Sequence, residues 1–216
     1  MKELMEEKHT EPSAKSTWSL EIFLRKLFKG VIDPIASLFI KMGLKPNTIT
    51  AMGFILTILA AYFTATGRFL IAGLILLVGA PLDVVDGSMA RLRGEPTRFG
   101  GFIDSVTDRY SELVLLLGLL FYYVQQQSLS ACLLTFIAAA GSVMVSYTKA
   151  RAESLGFTAK VGLLTRVERM IIMVAFLLIK RPIIALWIIS IGANITAIQR
   201  MWFVYKQSKE QVNTGT

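Results

Sequence analysis

Residues 82–109 read LDVVDGSMARLRGEPTRFGGFIDSVTDR. Asp83 and Asp86 are spaced i,i+3, and Asp104 and Asp108 i,i+4, so each pair shares one face of a helix. Gly94-Glu95-Pro96 punctuates the stretch as a turn. Asp86 lies nine residues before Glu95 and Asp104 nine after it; Asp83 lies twelve before and Asp108 thirteen after. At ~1.5 Å per helical residue, an antiparallel hairpin sets the two pairs at matching height. The spacing predicts two helices whose four carboxylates converge roughly two to three turns from the connecting loop.

Composition decides what surrounds that hairpin. The 216 residues are 54% hydrophobic and 18% charged, with 23 basic and 15 acidic side chains, net charge +8 and mean hydropathy +0.57. A soluble enzyme of this length needs more charge to cover its surface, and a disordered basic chain lacks this apolar mass. The pattern predicts an all-α, polytopic integral membrane protein. Six apolar segments are expected at 47–67, 69–92, 99–125, 129–153, 165–180 and 182–205. Ahead of them, residues 18–45 are expected to form an interfacial amphipathic helix, with Trp18, Ile22, Phe23, Lys26 and Lys29 setting its stripe and Pro34 breaking or kinking it. Residues 1–17 read as a flexible cytoplasmic tail without the apolar core of a secretory signal, 46–208 as the six-span domain and 209–216 as a second tail.

Basic residues fall unevenly among the loops. With six spans, 19 of the 23 lie on the side that holds both termini, and only Arg68, Lys180 and Arg181 lie opposite. The positive-inside rule places both termini, and with them the acidic cluster, in the cytoplasm. Membrane topology and lipid head groups account for the basic balance, so nucleic acid is not the expected partner. Cys132 and His9 have no companions for metal or redox chemistry.

Four carboxylates at one depth repel one another and are costly to bury. Hard divalent cations relieve both problems, since Mg²⁺ prefers carboxylate and phosphate oxygens. Salt bridges to Arg91, Arg109 or another basic residue are the competing explanation, but the aspartates outnumber the arginines expected within reach. Gly87 follows Asp86, and Gly100-Gly101 lie one turn before Asp104. Glycine in a helix costs ~1 kcal/mol relative to alanine. Ligand approach explains Gly87, whereas helix packing or ligand approach would serve for Gly101.

The pattern Asp83-x2-Asp86-Gly87-x2-Ala90-Arg91-x8-Gly100-x3-Asp104-x3-Asp108 resembles, at all eight fixed positions, the signature of the CDP-alcohol phosphotransferase family. The resemblance implies a six-span, homodimeric membrane enzyme that transfers a phosphatidyl group from a CDP-linked lipid to an alcohol and releases CMP. It implies two Mg²⁺ or Mn²⁺ ions among Asp83, Asp86, Asp104 and Asp108, with Asp108 also the general base. It implies nucleotide-donor contacts at Gly87, Arg91 and Thr97 and at Pro46-Asn47-Thr48-Ile49. Residues alone read that last segment only as a helix start.

The stretches SYTKARAE, ERMIIM and IQR resemble the phosphatidylinositol-phosphate synthase branch of that family and its archaetidyl counterpart. This implies that Lys149, Arg169 and Arg200 bind the phosphate of the acceptor, 1D-myo-inositol 3-phosphate, with CDP-diacylglycerol or CDP-archaeol as donor. Glycerol 3-phosphate would use the same pocket, as in a phosphatidylglycerophosphate synthase. Outside enzymes, a divalent cation transporter is the alternative for intramembrane aspartates.

Overall fold

The computed structural model describes residues 20–94 and 97–214. The expected tail 1–17, Trp18 and the turn residues Glu95 and Pro96 lie outside the described residues, as do the side chains of the amphipathic stripe from Ile22 to Lys29. Seven helices and no strand occur among the described residues: α1 Leu20–Lys41, α2 Pro46–Ala65, α3 Phe69–Leu92, α4 Arg98–Gln125, α5 Leu129–Ser154, α6 Arg166–Leu178 and α7 Pro182–Thr214. Their bounds follow the apolar segments closely, except that α7 continues well beyond residue 205.

Among the described residues, four helices are long and apolar enough to cross a membrane: α2, α3, α5 and α7. The other two expected spans fall short for different reasons. α4 carries Asp104, Asp108, Arg109 and Glu112, and α6 has only 13 residues, about 20 Å of helix. The outward surface is what lipid requires. Val78, Phe136 and Ile55 are 68%, 69% and 63% exposed, and similar residues stud all four long apolar helices.

α2 is the organising element. It packs along both α3 and α4, while α3 and α4, consecutive in the chain, scarcely touch. The expected hairpin is therefore splayed, with α2 set against both arms. Close approach of α2 to α4 depends on Gly118, where a Cβ would lie 2.5 Å from the Ala61 carbonyl oxygen. Small residues at helix crossings are how membrane bundles gain contact without a hydrophobic driving force. α5 packs along α7, and α6 bridges α3 to α7.

The main core runs from Leu76 and Leu115 through Leu134 to Leu177 and Leu186. A second, smaller core joins Ile32 and Ala36 of α1 to Ile49, Val85 and Met89. Pro34 does not break α1, which continues to Lys41. Residues on either side of it, Ile32 and Ala36, are buried in this second core, so packing outweighs the one backbone bond that proline removes. Ser88 Oγ donates to Asp33 at 2.6 Å and fastens the same contact.

Candidate active site

The four aspartates gather where α3 and α4 diverge. Asp86 is within electrostatic reach of Asp83 and Asp104, and so is Asp108. Each is placed by a neighbour. Thr50, on the first turns of α2, donates its hydroxyl to Asp86 Oδ2 at 2.5 Å. Gly53, one turn on, makes room for Asp83: a Cβ there would sit 3.3 Å from Oδ1. Arg166, the first residue of α6, joins the two arms. Its Nη2 meets Asp83 Oδ2 at 2.6 Å and its Nη1 meets Asp108 Oδ2 at 2.7 Å.

The salt-bridge explanation is thus partly realised, through an arginine not expected to reach the cluster. Arg109 also feels Asp104 and Asp108, although its Nη1 hydrogen-bonds the Ser105 carbonyl. Two guanidinium groups against four carboxylates leave two negative charges in excess. Carboxylate oxygens are the donors that hard divalent ions prefer, so the set fits such an ion chemically. As the side chains stand, no three acidic, histidine or cysteine groups among the described residues are drawn close enough to hold one. Arg166 ties two of the four instead.

The expected donor residues lie at the loop end of the same helices. Pro46 opens α2, and Asn47 and Thr48 beside it are exposed. The Asn47 side chain approaches Gly100, whose Cβ would lie 3.7 Å from Oδ1. Thr97 caps α4, its Oγ1 accepting from the Gly100 N–H at 2.9 Å. Arg91 is exposed, with Nη1 over Gly87. Ile49 departs from the expectation. It has no exposed surface and packs against Val85 and Met89, so its side chain serves the fold. Gly101 is not a packing glycine: a Cβ there would meet nothing within 4 Å.

The expected acceptor residues are only partly gathered. Arg169 and Arg200 are 1% and 5% exposed and close enough to repel one another. Arg169 is gripped by Glu112, Nε to Oε1 at 2.6 Å and Nη2 to Oε2 at 2.7 Å. Arg200 donates from Nε to the Val161 carbonyl at 2.9 Å and from Nη1 to the Val145 carbonyl. Lys149, one turn beyond Val145 on α5, is exposed and makes no such bond among the described residues. Sequence reasoning missed Thr50, Gly53, Arg166 as a bridge, and Glu112. Only Glu112 left a usable signal, as the next i,i+4 step after Asp104 and Asp108.

Residues 44–199 match the family model described as CDP-alcohol phosphatidyltransferase. The archaetidylinositol phosphate synthase of Pyrococcus horikoshii is 36% identical over 193 residues, 89% of this chain and 98% of its own. The phosphatidylinositol phosphate synthase of Mycobacteroides abscessus is 33% identical over 186 residues, 82% and 84% of the two chains. Two crystal structures of the phosphatidylinositol phosphate synthase of Mycobacterium tuberculosis share the fold at 28% identity. The one with CDP-DAG bound has a TM-score of 0.76 over 81% of this chain and 94% of that chain. The one with manganese and citrate has a TM-score of 0.75 over 81% and 89%. With a family match across most of its length and relatives aligned nearly end to end, this membrane protein belongs to the CDP-alcohol phosphatidyltransferase family of enzymes.

Proposed function

We propose that this enzyme transfers a phosphatidyl or archaetidyl group from a CDP-linked lipid to a hydroxyl of 1D-myo-inositol 3-phosphate, releasing CMP. The observation that carries the reading is the pairing of an acidic cluster with two excess negative charges and two buried guanidinium groups, Arg169 one turn along α6 and Arg200 on α7. The first suits a cation and a pyrophosphate; the second suits the phosphate of an acceptor. The related M. tuberculosis phosphatidylinositol phosphate synthase, crystallised with CDP-DAG and with manganese and citrate, supports the first half.

Asp83, Asp86, Asp104 and Asp108 would hold two divalent ions, Mg²⁺ or Mn²⁺, whose charge when bound favours the pyrophosphate and the departing CMP. The acceptor hydroxyl attacks the β-phosphorus, a new P–O bond forms, and the bond to CMP breaks with its electron pair leaving on CMP. Asp108 takes the hydroxyl proton. Its Oδ2 is bonded to Arg166, so Oδ1 is the oxygen disposed to accept it. Asn47, Thr48, Gly87, Arg91 and Thr97 bind the nucleotide end of the donor, beside the helix start at Pro46. Open space over Gly101, and over Gly87 only the end of the Arg91 side chain, leave room for close approach. Lys149, Arg169 and Arg200 receive the acceptor's phosphate.

The bundle is read as six spans with α1 in the interface. In α4, Asp108 and Glu112 face α6 arginines, so its charged half is lined by protein and not by lipid. The basic loops favour both termini and the site on the cytoplasmic side. Family resemblance favours a homodimer.

The test is turnover of radiolabelled CDP-diacylglycerol by purified protein with Mg²⁺ or Mn²⁺ and, in parallel, inositol phosphate, glycerol 3-phosphate, inositol or serine. Inositol phosphate is expected to give the highest kcat/KM. Preference for glycerol 3-phosphate would move the enzyme to the phosphatidylglycerophosphate branch. Preference for an uncharged alcohol would defeat the acceptor-phosphate reading.

A further inference from the structure

Although α4 and α6 make little backbone contact, two ion pairs cross between them. Asp108 meets Arg166, and one helical turn further along both helices Glu112 meets Arg169. All four side chains line one cavity. The second rung is the more deeply set. Arg169 is 1% exposed, and a cation so buried is strongly destabilising unless it is paired and its donors are satisfied. Glu112 supplies a two-point grip, and the Leu164 carbonyl accepts from Nη1 at 3.2 Å. Three of the five guanidinium N–H donors are thereby used, and two remain. Arg200 stands nearby with two of its own donors taken by backbone carbonyls.

We propose that Glu112 is a positioning residue for the acceptor. It fixes the plane and direction of Arg169, so that the two spare donors, together with those of Arg200, take the acceptor's phosphate. The proposal rests on the acceptor-phosphate reading given above. A carboxylate suits this task because it presents two acceptors at the spacing of the guanidinium fork. Glutamine has the same shape but presents one acceptor and one donor, so one arm of the fork would face an N–H and the guanidinium would have to turn away. Glu112 lies four residues beyond Asp108 on the same helix. The base that removes the acceptor's proton and the group that orients its phosphate anchor are therefore referenced to one rigid element.

The experiment is steady-state kinetics on the purified full chain, varying 1D-myo-inositol 3-phosphate and CDP-diacylglycerol separately. Glu112→Gln is expected to raise the acceptor KM about tenfold, the loss of one well-made charge-assisted contact. The donor KM is expected to stay within about twofold, below the tenfold that marks such a loss. Arg169→Met is expected to raise the acceptor KM at least as far. Adding Glu112→Gln to Arg169→Met is expected to change the acceptor KM no further, since Glu112 acts through Arg169. An unchanged acceptor KM in Glu112→Gln, an equal rise in both KM values, or a further rise in the double variant overturns the proposal while leaving the acceptor reading in place. If Arg169→Met itself leaves the acceptor KM unchanged, the acceptor reading fails at Arg169 and Glu112 loses its role with it. Should Glu112→Gln fail to fold, Glu112→Asp decides: a smaller rise confined to the acceptor KM supports the proposal, and no rise overturns it.

Discussion

Arg166→Met removes the only cation bonded directly to the aspartate cluster among the described residues while keeping a side chain of similar reach. Arg166 bridges Asp83 and Asp108 at 2.6 and 2.7 Å, with the three side chains 30%, 23% and 12% exposed. Breaking a fully buried ion pair by deleting one partner costs about 3–5 kcal/mol, whereas exposed pairs are worth about 0–1 kcal/mol. Partial exposure puts this case between the two, at about 2 kcal/mol. For a chain of about 200 residues, that loss corresponds to about 4–8 °C in Tm. The effect is expected to depend on metal, because a divalent ion held by Asp83 and Asp108 would relieve the same repulsion. Metal at about 100 times its Kd adds about 2.7 kcal/mol to a protein that binds it only when folded. The variant has lost a competitor for those carboxylates and is expected to bind Mn²⁺ more tightly. Thermal unfolding in detergent, with EDTA and with a Mn²⁺ series, reads both effects. The variant's Tm deficit is expected to be largest in EDTA and to shrink as Mn²⁺ saturates. An equal deficit under both conditions, or weaker Mn²⁺ binding, would refute the idea that Arg166 and the ion share these carboxylates.

Asp108→Asn keeps the shape of the proposed base but cannot take a proton. It is expected to lower kcat for CMP release by about 10²–10⁴-fold, with Tm held within a few degrees; near-normal turnover would remove Asp108 from that role. Two glycines separate fold from chemistry. At Gly118 an added methyl would collide with the Ala61 backbone, and Gly118→Ala is expected to destabilise by about 1–3 kcal/mol, read as a lower Tm. At Gly87 only Arg91 Nη1 lies within 4 Å, at 3.5 Å, and Gly87→Ala is expected to keep or raise Tm, since alanine is favoured in a helix by ~1 kcal/mol. The same Gly87 variant is expected to raise the donor KM, and an unchanged donor KM would place the nucleotide elsewhere.

What the sequence made legible is what depends on short spacing. The i,i+3 and i,i+4 aspartates and the helix bounds are set by helical periodicity and by local hydrogen bonding. The groups that position those aspartates come from far along the chain. Thr50 bonds a residue 36 positions away, Arg166 one 83 positions away, and Arg169 one 57 positions away. No local period encodes such pairs, because they exist only after α2 and α6 have been placed by packing. Arg166 reads in the sequence as an ordinary loop-flanking basic residue for this reason, and Arg169 is expected at the acceptor's phosphate with no sign of its partner Glu112: charge and position relative to a span describe topology, whereas partner choice is tertiary.

The splay of α3 from α4 has the same origin, and it bears on the chemistry. Helices joined by a short turn were expected to pack against each other, which would set the two aspartate pairs face to face. Instead the α2 surface, with Gly53 behind Asp83 and Ala61 against Gly118, takes up both helices. A directly packed hairpin would bring like charges together with nothing between them, at a cost that rises steeply as the local dielectric falls. A wedge behind the pair lets the carboxylates converge across a gap wide enough for a guanidinium or a cation. On this argument the acidic motif and the small residues of α2 and α4 form one device: the first supplies charge, and the second holds that charge apart at a separation a cation can close.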